Sequence, residues 1–184
     1  NYKGVSYVEL QGGSDGATNF RPDDKITRAE LFKIVFKVFG ESTENVRVSS
    51  TFTDVDKNAW YAPYSELAIK FDLISTEKKL FEADKNVSKI EAMKILYRIY
   101  GIAAPVLSTN QKVQIFKDIS EDHPYNSFIQ RAINLEIYED NANKMFYPYQ
   151  EMTRGDFVDM LFLFDQWYTN TSIYASTDIS EVYK

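Results

Sequence analysis

Three basic residues, Arg28, Lys89 and Arg154, stand directly after residues that are typical helix caps. The start of a helix carries partial positive charge, so a cation there costs about 0.3 to 1 kcal/mol. A bound anion offsets that cost, because free N–H groups at a helix start bind carboxylate or phosphate together with a nearby cationic side chain. The alternative is an ion pair with an acidic residue of a neighbouring segment. The pattern predicts three anion contacts, with Arg28 as the leading one.

Aromatic and acidic side chains elsewhere in the chain are further candidates for ligand contact. Trp60 is a candidate for stacking on a sugar ring, although a Trp at a helix start also serves as a core residue. Tyr125 is the corresponding candidate later in the chain. Asp54 and Asp118 are expected to act as turn or capping residues, with contact to sugar hydroxyls as the alternative.

The sequence offers no metal site and no catalytic constellation. Asp54, Asp56 and Asn58 occupy the first, third and fifth places of a calcium-binding loop. Ala59 and Ser65 stand where that loop requires its glycine and its final glutamate, so the pattern fails. The single histidine has neither a companion metal ligand nor a nucleophile beside it in the sequence. We therefore expect no metal, no cofactor and no enzyme activity.

Composition argues against several classes of partner. The chain has 184 residues and no cysteine, and its 21 Lys and Arg against 27 Asp and Glu give a net charge of −6. That acidic balance disfavours nucleic acid and anionic membranes as partners, because both recruit cationic surfaces. No apolar run approaches the roughly 20 residues that cross a bilayer. With 44% apolar residues, the chain is expected to fold around a buried core.

The three cations belong to three copies of one phrase, which begins at Phe20, Phe81 and Phe146. Seven residues after each Phe comes Thr or Ser, and three further on comes Glu or Asp, which predicts a capping box. Apolar residues then recur with the spacing i, i+3, i+4, i+7, so each copy predicts a helix with one buried stripe. A second phrase, near residues 52 and 116, predicts an opening helix ahead of the last two copies.

A helical pair that cannot bury its stripe alone packs against its own copies. We therefore predict an all-α fold of three tandem repeats, with pseudo-threefold symmetry around a shared helical core. The first repeat is placed at residues 1–45, without its opening helix, the second at 46–110 and the third at 111–168. A C-terminal tail is predicted at 169–184.

The second repeat resembles a complete S-layer homology repeat. It joins FTDVDKNAWYAPYSELAIKFDLI to KLFEADKNVSKIEAMKILYRIYG, and the first repeat carries ITRAE at Ile26 to Glu30, the form most typical of that family. The resemblance extends over residues 4 to 166 in three copies. It implies a three-pronged helical spindle that attaches secreted proteins non-covalently to the cell wall or surface layer of bacteria.

The resemblance also implies a ligand. In the family this is an acidic secondary cell-wall polysaccharide, which is linked to peptidoglycan, often carries pyruvate, and binds in grooves between neighbouring repeats. The family places a groove-lining glycine near the flexible loop of the first repeat, which makes Gly13, Asp15 and Gly16 candidate contacts. The predicted function is therefore a non-catalytic wall anchor at the cell surface.

Departures from the family pattern keep a second hypothesis open. The second repeat has Ser88-Lys89-Ile90-Glu91 in place of Thr-Arg-Ala-Glu, and the third has Gly155-Asp156 in place of Ala-Glu. A module with degenerate sugar grooves would instead bind protein neighbours in a surface-layer array.

Overall fold

The computed structural model describes residues 20–49, 51–103, 114–138 and 143–177. Within these ranges the secondary structure is helical, and the remaining backbone pairing consists of isolated bridges between loops. The predicted all-α class is confirmed. No helix of the described part is both long and apolar enough to cross a membrane. The helices are α1 (Arg28–Val38), α2 (Ala62–Lys70), α3 (Lys89–Ile99), α4 (Asn126–Asn134) and α5 (Arg154–Thr177).

Each of the three Phe phrases leads into a capped helix. At α1, the Thr27 hydroxyl accepts a hydrogen bond from Glu30 N–H at 3.3 Å, and the Glu30 carboxylate accepts one from Thr27 N–H at 3.0 Å. Ser88 and Glu91 form the same capping box at α3. A reciprocal pair of bonds of the same kind opens α5. The three predicted helix starts are confirmed, because short-range hydrogen bonding is enough to specify them.

The residues just before the caps are joined in a closed cycle of backbone hydrogen bonds. Ile26 N–H donates to Met152 O at 3.1 Å, Met152 N–H to Val87 O at 2.9 Å, and Val87 N–H to Ile26 O at 3.1 Å. All three side chains are buried. The cycle brings together three helix entrances that are far apart in the sequence. The pseudo-threefold arrangement of complete repeats stays a prediction, because the beginning of the first repeat lies outside the described residues.

The predicted apolar stripes form the core. In α1, Leu31, Ile34 and Val35 have no exposed surface, and the corresponding faces of α3 and α5 are buried as well. Burying one such side chain contributes about 1.5 to 3 kcal/mol. α1 packs against α2, and α3 packs against α5. The buried stripes thus hold the helix entrances in fixed positions.

A glycine follows two of the three capped helices and ends them. α1 and α3 are followed by Gly40 and Gly101, which adopt positive φ angles of 72° and 66°. A left-handed residue of this kind terminates a helix at low cost when it is glycine. In α5 the equivalent residue is Gln166, and the helix continues to Thr177. The first part of the predicted tail is therefore helical.

Candidate functional site

The backbone donors at the three helix starts are already used within the protein. At α1, Arg28 N–H donates to Lys85 O at 2.9 Å and Ala29 N–H donates to Ala83 O at 3.0 Å. The prediction that free N–H groups at these positions bind an anion is wrong, because loop carbonyls from another repeat occupy them. The corresponding acceptors are Gln150 O and Pro148 O for α3, and Asp24 O and Pro22 O for α5.

The three cations make one shared contact that the sequence did not indicate. Each donates a hydrogen bond to the carbonyl oxygen of the Phe that opens the phrase of another repeat. This bond fixes the neighbouring loop to the helix start and gives the misplaced positive charge a structural role. The bonds join Arg28 Nη1 to Phe81 O at 2.7 Å, Lys89 Nζ to Phe146 O at 2.8 Å, and Arg154 Nε to Phe20 O at 3.0 Å.

Asp54 and Asp118 hold these Phe loops in shape. Asp54 accepts hydrogen bonds from Phe81 N–H at 2.8 Å and Glu82 N–H at 2.7 Å, and Asp118 makes the same two bonds in the third repeat. Burial acts to raise the pKa of Asp118, but the backbone N–H donors outweigh it and hold that pKa below its usual value. The predicted turn-capping role is confirmed for both residues.

Arg154 is neutralised inside the protein. Its side chain has no exposed surface, and Nη1 lies 2.8 Å from Glu30 Oε1. The ring of Phe20 packs 5.5 Å from the guanidinium carbon. The alternative explanation, an ion pair across a repeat boundary, therefore applies to Arg154, whose side chain is closed off from solvent.

Arg28 is also paired, but it remains partly open to solvent. Its Nη1 lies 3.1 Å from Glu82 Oε2 and its Nη2 lies 3.4 Å from Glu91 Oε1, while 16% of its side chain is exposed. Lys85 shares Glu91, at 3.2 Å. Glu91 is thus both a capping residue of α3 and a partner of two cations. Burial acts to raise the pKa of Glu91, yet hydrogen bonds from Ser88 and Lys85 lower it overall.

Lys89 differs from both arginines. Within the described ranges no carboxylate lies within 4.0 Å of Lys89 Nζ. Burial lowers the pKa of Lys89, and the more distant charges of Asp156 and Asp118 oppose that shift. The sequence explains the difference, since Tyr147 stands at the position equivalent to Glu82 and Asp156 at that of Glu91. One replacement carries no charge and the other is one methylene shorter.

Arg28 lies in a cleft of about 340 Å³ that is lined by the first and second repeats, here called the Arg28 cleft. Of its described lining residues, five are cationic and three are carboxylates. This cleft is locally positive in a chain whose net charge is −6. The charged lining residues are Arg28, Lys78, Lys85, Lys94, Arg98, Glu77, Glu82 and Glu91.

Lys89 lies in a second cleft of about 320 Å³, here called the Lys89 cleft. It is lined by the second and third repeats and has the opposite charge balance. Its described lining contains Lys89 together with Glu151, Asp156 and Asp159, and Gln150, Tyr138 and four apolar side chains complete it. An anion is therefore favoured in the Arg28 cleft and disfavoured in the Lys89 cleft.

Each of the two predicted aromatic contacts lies next to a lysine. Lys33 Nζ sits 5.3 Å from the centre of the Trp60 ring, and Lys94 Nζ sits 5.1 Å from that of Tyr125. Both rings are partly buried against the core. Because Lys94 also lines the Arg28 cleft, Tyr125 adjoins that cleft. Trp60 is absent from the described lining of both clefts.

The remaining predicted features are the glycine loop of the first repeat and the calcium-like pattern of the second. Gly13, Asp15 and Gly16 lie outside the described residues. Asp56 Oδ1 accepts a hydrogen bond from Asn58 N–H at 2.8 Å, so this part of the calcium-like pattern forms a local turn. Among the described residues, no group of three or more His, Asp or Glu side chains is arranged to hold a metal ion.

Sequence reasoning missed four cations of the Arg28 cleft, namely Lys78, Lys85, Lys94 and Arg98. A signal for two of them was present, since Lys94 and Arg98 are four residues apart and lie on one face of α3. Lys78 is brought to the cleft by a turn. Its position depends on the packing of that turn, and no periodic pattern marks it.

The chain is similar to segments of longer proteins. It is 24% identical over 148 residues to "Amylopullulanase" of Thermoanaerobacterium thermosulfurigenes, which covers 80% of this chain and 8% of that protein. It is also 24% identical over 148 residues to "Exoglucanase XynX" of Acetivibrio thermocellus, covering 80% of this chain and 13% of that protein. With "Middle cell wall protein" of Brevibacillus brevis it shares 27% identity over 164 residues, which are 86% of this chain and 14% of that protein.

The chain thus spans a small fraction of these relatives. A family profile described as "S-layer homology domain" matches residues 13–32 and 115–158. These two regions contain ITRAE of the first repeat and both phrases of the third. The matches confirm the resemblance to the S-layer homology family.

Proposed function

We propose that this chain is a non-catalytic module that anchors a longer polypeptide to the bacterial cell wall. The S-layer homology matches support this function, and one relative is itself named a cell wall protein. The ligand proposed is an acidic secondary wall polysaccharide, and the location proposed is the outside of the cell. The enzyme activities named for the other two relatives are not proposed for this chain, because it covers only 8% and 13% of those proteins.

The charge of the Arg28 cleft is the observation that carries the choice of an acidic ligand. A chain with six excess negative charges would repel a polyanion from most of its surface, yet this cleft gathers five cations against three carboxylates in its described lining. Local potentials of this kind raise the concentration of a ligand of opposite sign. Its volume of about 340 Å³ lies within the usual range for small-ligand sites.

The cations of the Arg28 cleft have different tasks. Arg28 is held by Phe81 O, Glu82 and Glu91, so it is a fixed donor at the base of the cleft. Lys78 and Arg98 are exposed at the cleft surface. A carboxylate such as that of a pyruvyl ketal would approach these exposed cations and share the Arg28 guanidinium. Charge-assisted hydrogen bonds of this type contribute about 1.5 to 3 kcal/mol each.

Binding to purified wall sacculi tests the function. A Lys78→Glu/Arg98→Glu variant changes the described charge of the Arg28 cleft from +2 to −2, as two cations become two anions. The matched control is Lys57→Glu/Lys117→Glu, which makes the same change in total charge at exposed residues outside the lining of the two clefts. We expect the first variant to lose sacculus binding by about tenfold or more and the control to retain it.

Sacculi stripped of their polysaccharide complete the test. Wild-type protein should bind native sacculi and fail to bind stripped ones. Equal binding of both variants, or undiminished binding to stripped sacculi, would reject an acidic polysaccharide as the ligand. If the chain bound sacculi only when other surface-layer proteins were present, the alternative would be favoured, namely a module that binds protein neighbours.

A further inference from the structure

Two exposed tyrosines share one loop of the third repeat. Tyr147 is 47% exposed and Tyr149 is 66% exposed. Together with Asp118, Pro148 and Gln150 they line a shallow depression of about 610 Å³. The equivalent positions are Glu82 and Asp84 in the second repeat and Arg21 and Asp23 in the first. The third repeat therefore replaces a charged loop with an aromatic one.

The loop that carries these tyrosines is fixed by hydrogen bonds at both ends. Asp118 accepts from Tyr147 N–H at 2.7 Å, and Tyr147 O accepts from Gln150 N–H at 3.1 Å. Pro148 O and Gln150 O accept the first two N–H groups of α3, at 3.0 and 2.9 Å. A rigid loop loses little conformational entropy when a ligand settles on it. The backbone that carries the two rings is thus held in place.

The chemistry of the depression fits a neutral sugar ring. Tyr side chains combine an apolar ring face, which packs on the C–H face of a pyranose, with a hydroxyl that bonds to water or to sugar hydroxyls. Its described lining contains no cation, and both oxygens of its one carboxylate, Asp118, already accept backbone N–H groups. Neither an anion nor a cation is therefore the favoured ligand.

The position of the depression connects it to an inter-repeat cleft. Gln150 lines both the tyrosine depression and the Lys89 cleft, so the two surfaces are continuous. A glycan that ran along the Lys89 cleft would reach Tyr147 and Tyr149 without crossing another element. The shallow shape accepts the flat face of one or two sugar rings.

We propose that Tyr147 and Tyr149 form a stacking platform for an uncharged sugar, such as an N-acetylhexosamine, of the same wall glycan. This inference rests on the proposed wall-binding function, and it assigns the two clefts to different parts of the polymer. The acidic residue of the glycan binds in the Arg28 cleft, and a neutral stretch lies on the tyrosine platform beside the Lys89 cleft.

Titration of the intact chain with two soluble probes tests the platform. The neutral probe is an uncharged N-acetylglucosamine tetrasaccharide, and the acidic probe is a pyruvylated disaccharide. Tyr147→Ala/Tyr149→Ala should weaken binding of the neutral probe by about tenfold or more while binding of the acidic probe stays within twofold. Tyr149→Phe keeps the ring and should retain most of the affinity. Tyr168→Ala, at a tyrosine that is 46% exposed on α5, is the matched control and should change neither affinity.

The outcomes separate the platform from the proposed function. No binding of the neutral probe to wild-type protein, or equal binding to the double variant, would overturn the platform. Failure of the acidic probe alone would overturn the acidic ligand and leave the platform standing. Concentration-dependent sedimentation that the double variant abolishes would show that the tyrosines join copies of this chain, and it would also overturn the platform.

Discussion

The Arg28 cleft and the Lys89 cleft are built on the same backbone and differ in charge. Both have a cation one residue after a helix cap, and both cations bind the carbonyl of a Phe from the next repeat. In the Arg28 cleft the cation has two carboxylate partners, and further basic residues surround it. In the Lys89 cleft the described lining is dominated by carboxylates and apolar side chains. The two clefts therefore share their backbone contacts and differ in their surface chemistry.

The third helix start shows where such a scaffold becomes purely structural. Arg154 has the same bond to a Phe carbonyl, but it is fully buried against Glu30. Arg28 is mostly buried and Lys89 lies without a close carboxylate in the described ranges. The cation after the cap thus joins two repeats by a hydrogen bond in all three copies. The residues around it decide whether it is also open to a ligand.

The largest expected effect concerns the buried pair. Glu30→Ala leaves the Arg154 guanidinium buried without its carboxylate and removes a capping box, so we expect a loss of about 3 to 5 kcal/mol in the free energy of unfolding. The matched variant Glu91→Ala removes the same cap beside the partly exposed Arg28, and we expect a loss of about 1 to 2 kcal/mol. Urea denaturation measures both values. Equal losses would show that the burial of Arg154 adds nothing to the pair.

The next effect separates the clefts by ligand affinity. Arg28→Gln should weaken binding of a pyruvylated disaccharide by about 10- to 100-fold, because it removes a charge-assisted donor from the positive cleft. Lys89→Gln should weaken it by less than about threefold, since three carboxylates line the cleft that contains Lys89 and disfavour an anion there. Isothermal titration calorimetry on the two variants checks this difference. Loss of affinity in the Lys89 variant alone would reverse the assignment of the clefts.

The pH dependence of stability sharpens the description of the Arg28 cleft. The folded protein holds the pKa of Glu91 below its usual value, through hydrogen bonds from Ser88 and Lys85 that outweigh burial. Glu91 therefore stabilises the fold above its unfolded pKa of about 4.3, and this contribution disappears as the pH falls through the lower folded value.

We expect the free energy of unfolding of the wild type to exceed that of Glu91→Gln by about 1 kcal/mol at pH 7. The difference is small because 36% of the Glu91 side chain is exposed to solvent. The difference should shrink towards zero below about pH 4. Urea denaturation at pH 7, 5 and 3.5 measures it. A difference that stays constant with pH would mean that Glu91 acts through packing and not through its charge.

The smallest effect comes from giving the Lys89 cleft one feature of the Arg28 cleft. Tyr147→Glu places a carboxylate at the position of Glu82, and both residues have the same positive φ of 55°. We expect the free energy of unfolding to rise by about 0.2 to 1 kcal/mol, because the new carboxylate forms an ion pair with Lys89. In a Lys89→Met background the gain should vanish, which a double-mutant cycle measures. A gain that persists there would come from removal of the exposed tyrosine.

Short-range patterns predicted much of the fold. The cap residues, their acidic partners three positions later and the apolar stripes correctly indicated three helix starts and their buried faces. Gly40 and Gly101 marked two helix ends, and the absence of glycine at residue 166 agrees with the longer α5. These features depend on interactions within a few residues, so they can be read from the sequence alone.

The candidate site was predicted less well. The sequence marked Arg28, Lys89 and Arg154 as candidate ligand contacts, but their common bond to a Phe carbonyl and their unequal burial require the partner repeat. The basic residues Lys78 and Arg98 were overlooked because they join the Arg28 cleft from two different elements. The aromatic loop at Tyr147 became notable only when its backbone proved equivalent to that of Glu82.

By itself the sequence determined the helical class, the repeating phrase, the capped starts and the resemblance to a known family, because each of these is expressed in spacing along the chain. The tertiary structure alone decided which cation is paired, which is buried and which cleft is positive. The physical reason is that charge neutralisation across a repeat boundary depends on distances of a few ångströms between residues more than 50 positions apart, such as Arg28 with Glu82 and Arg154 with Glu30.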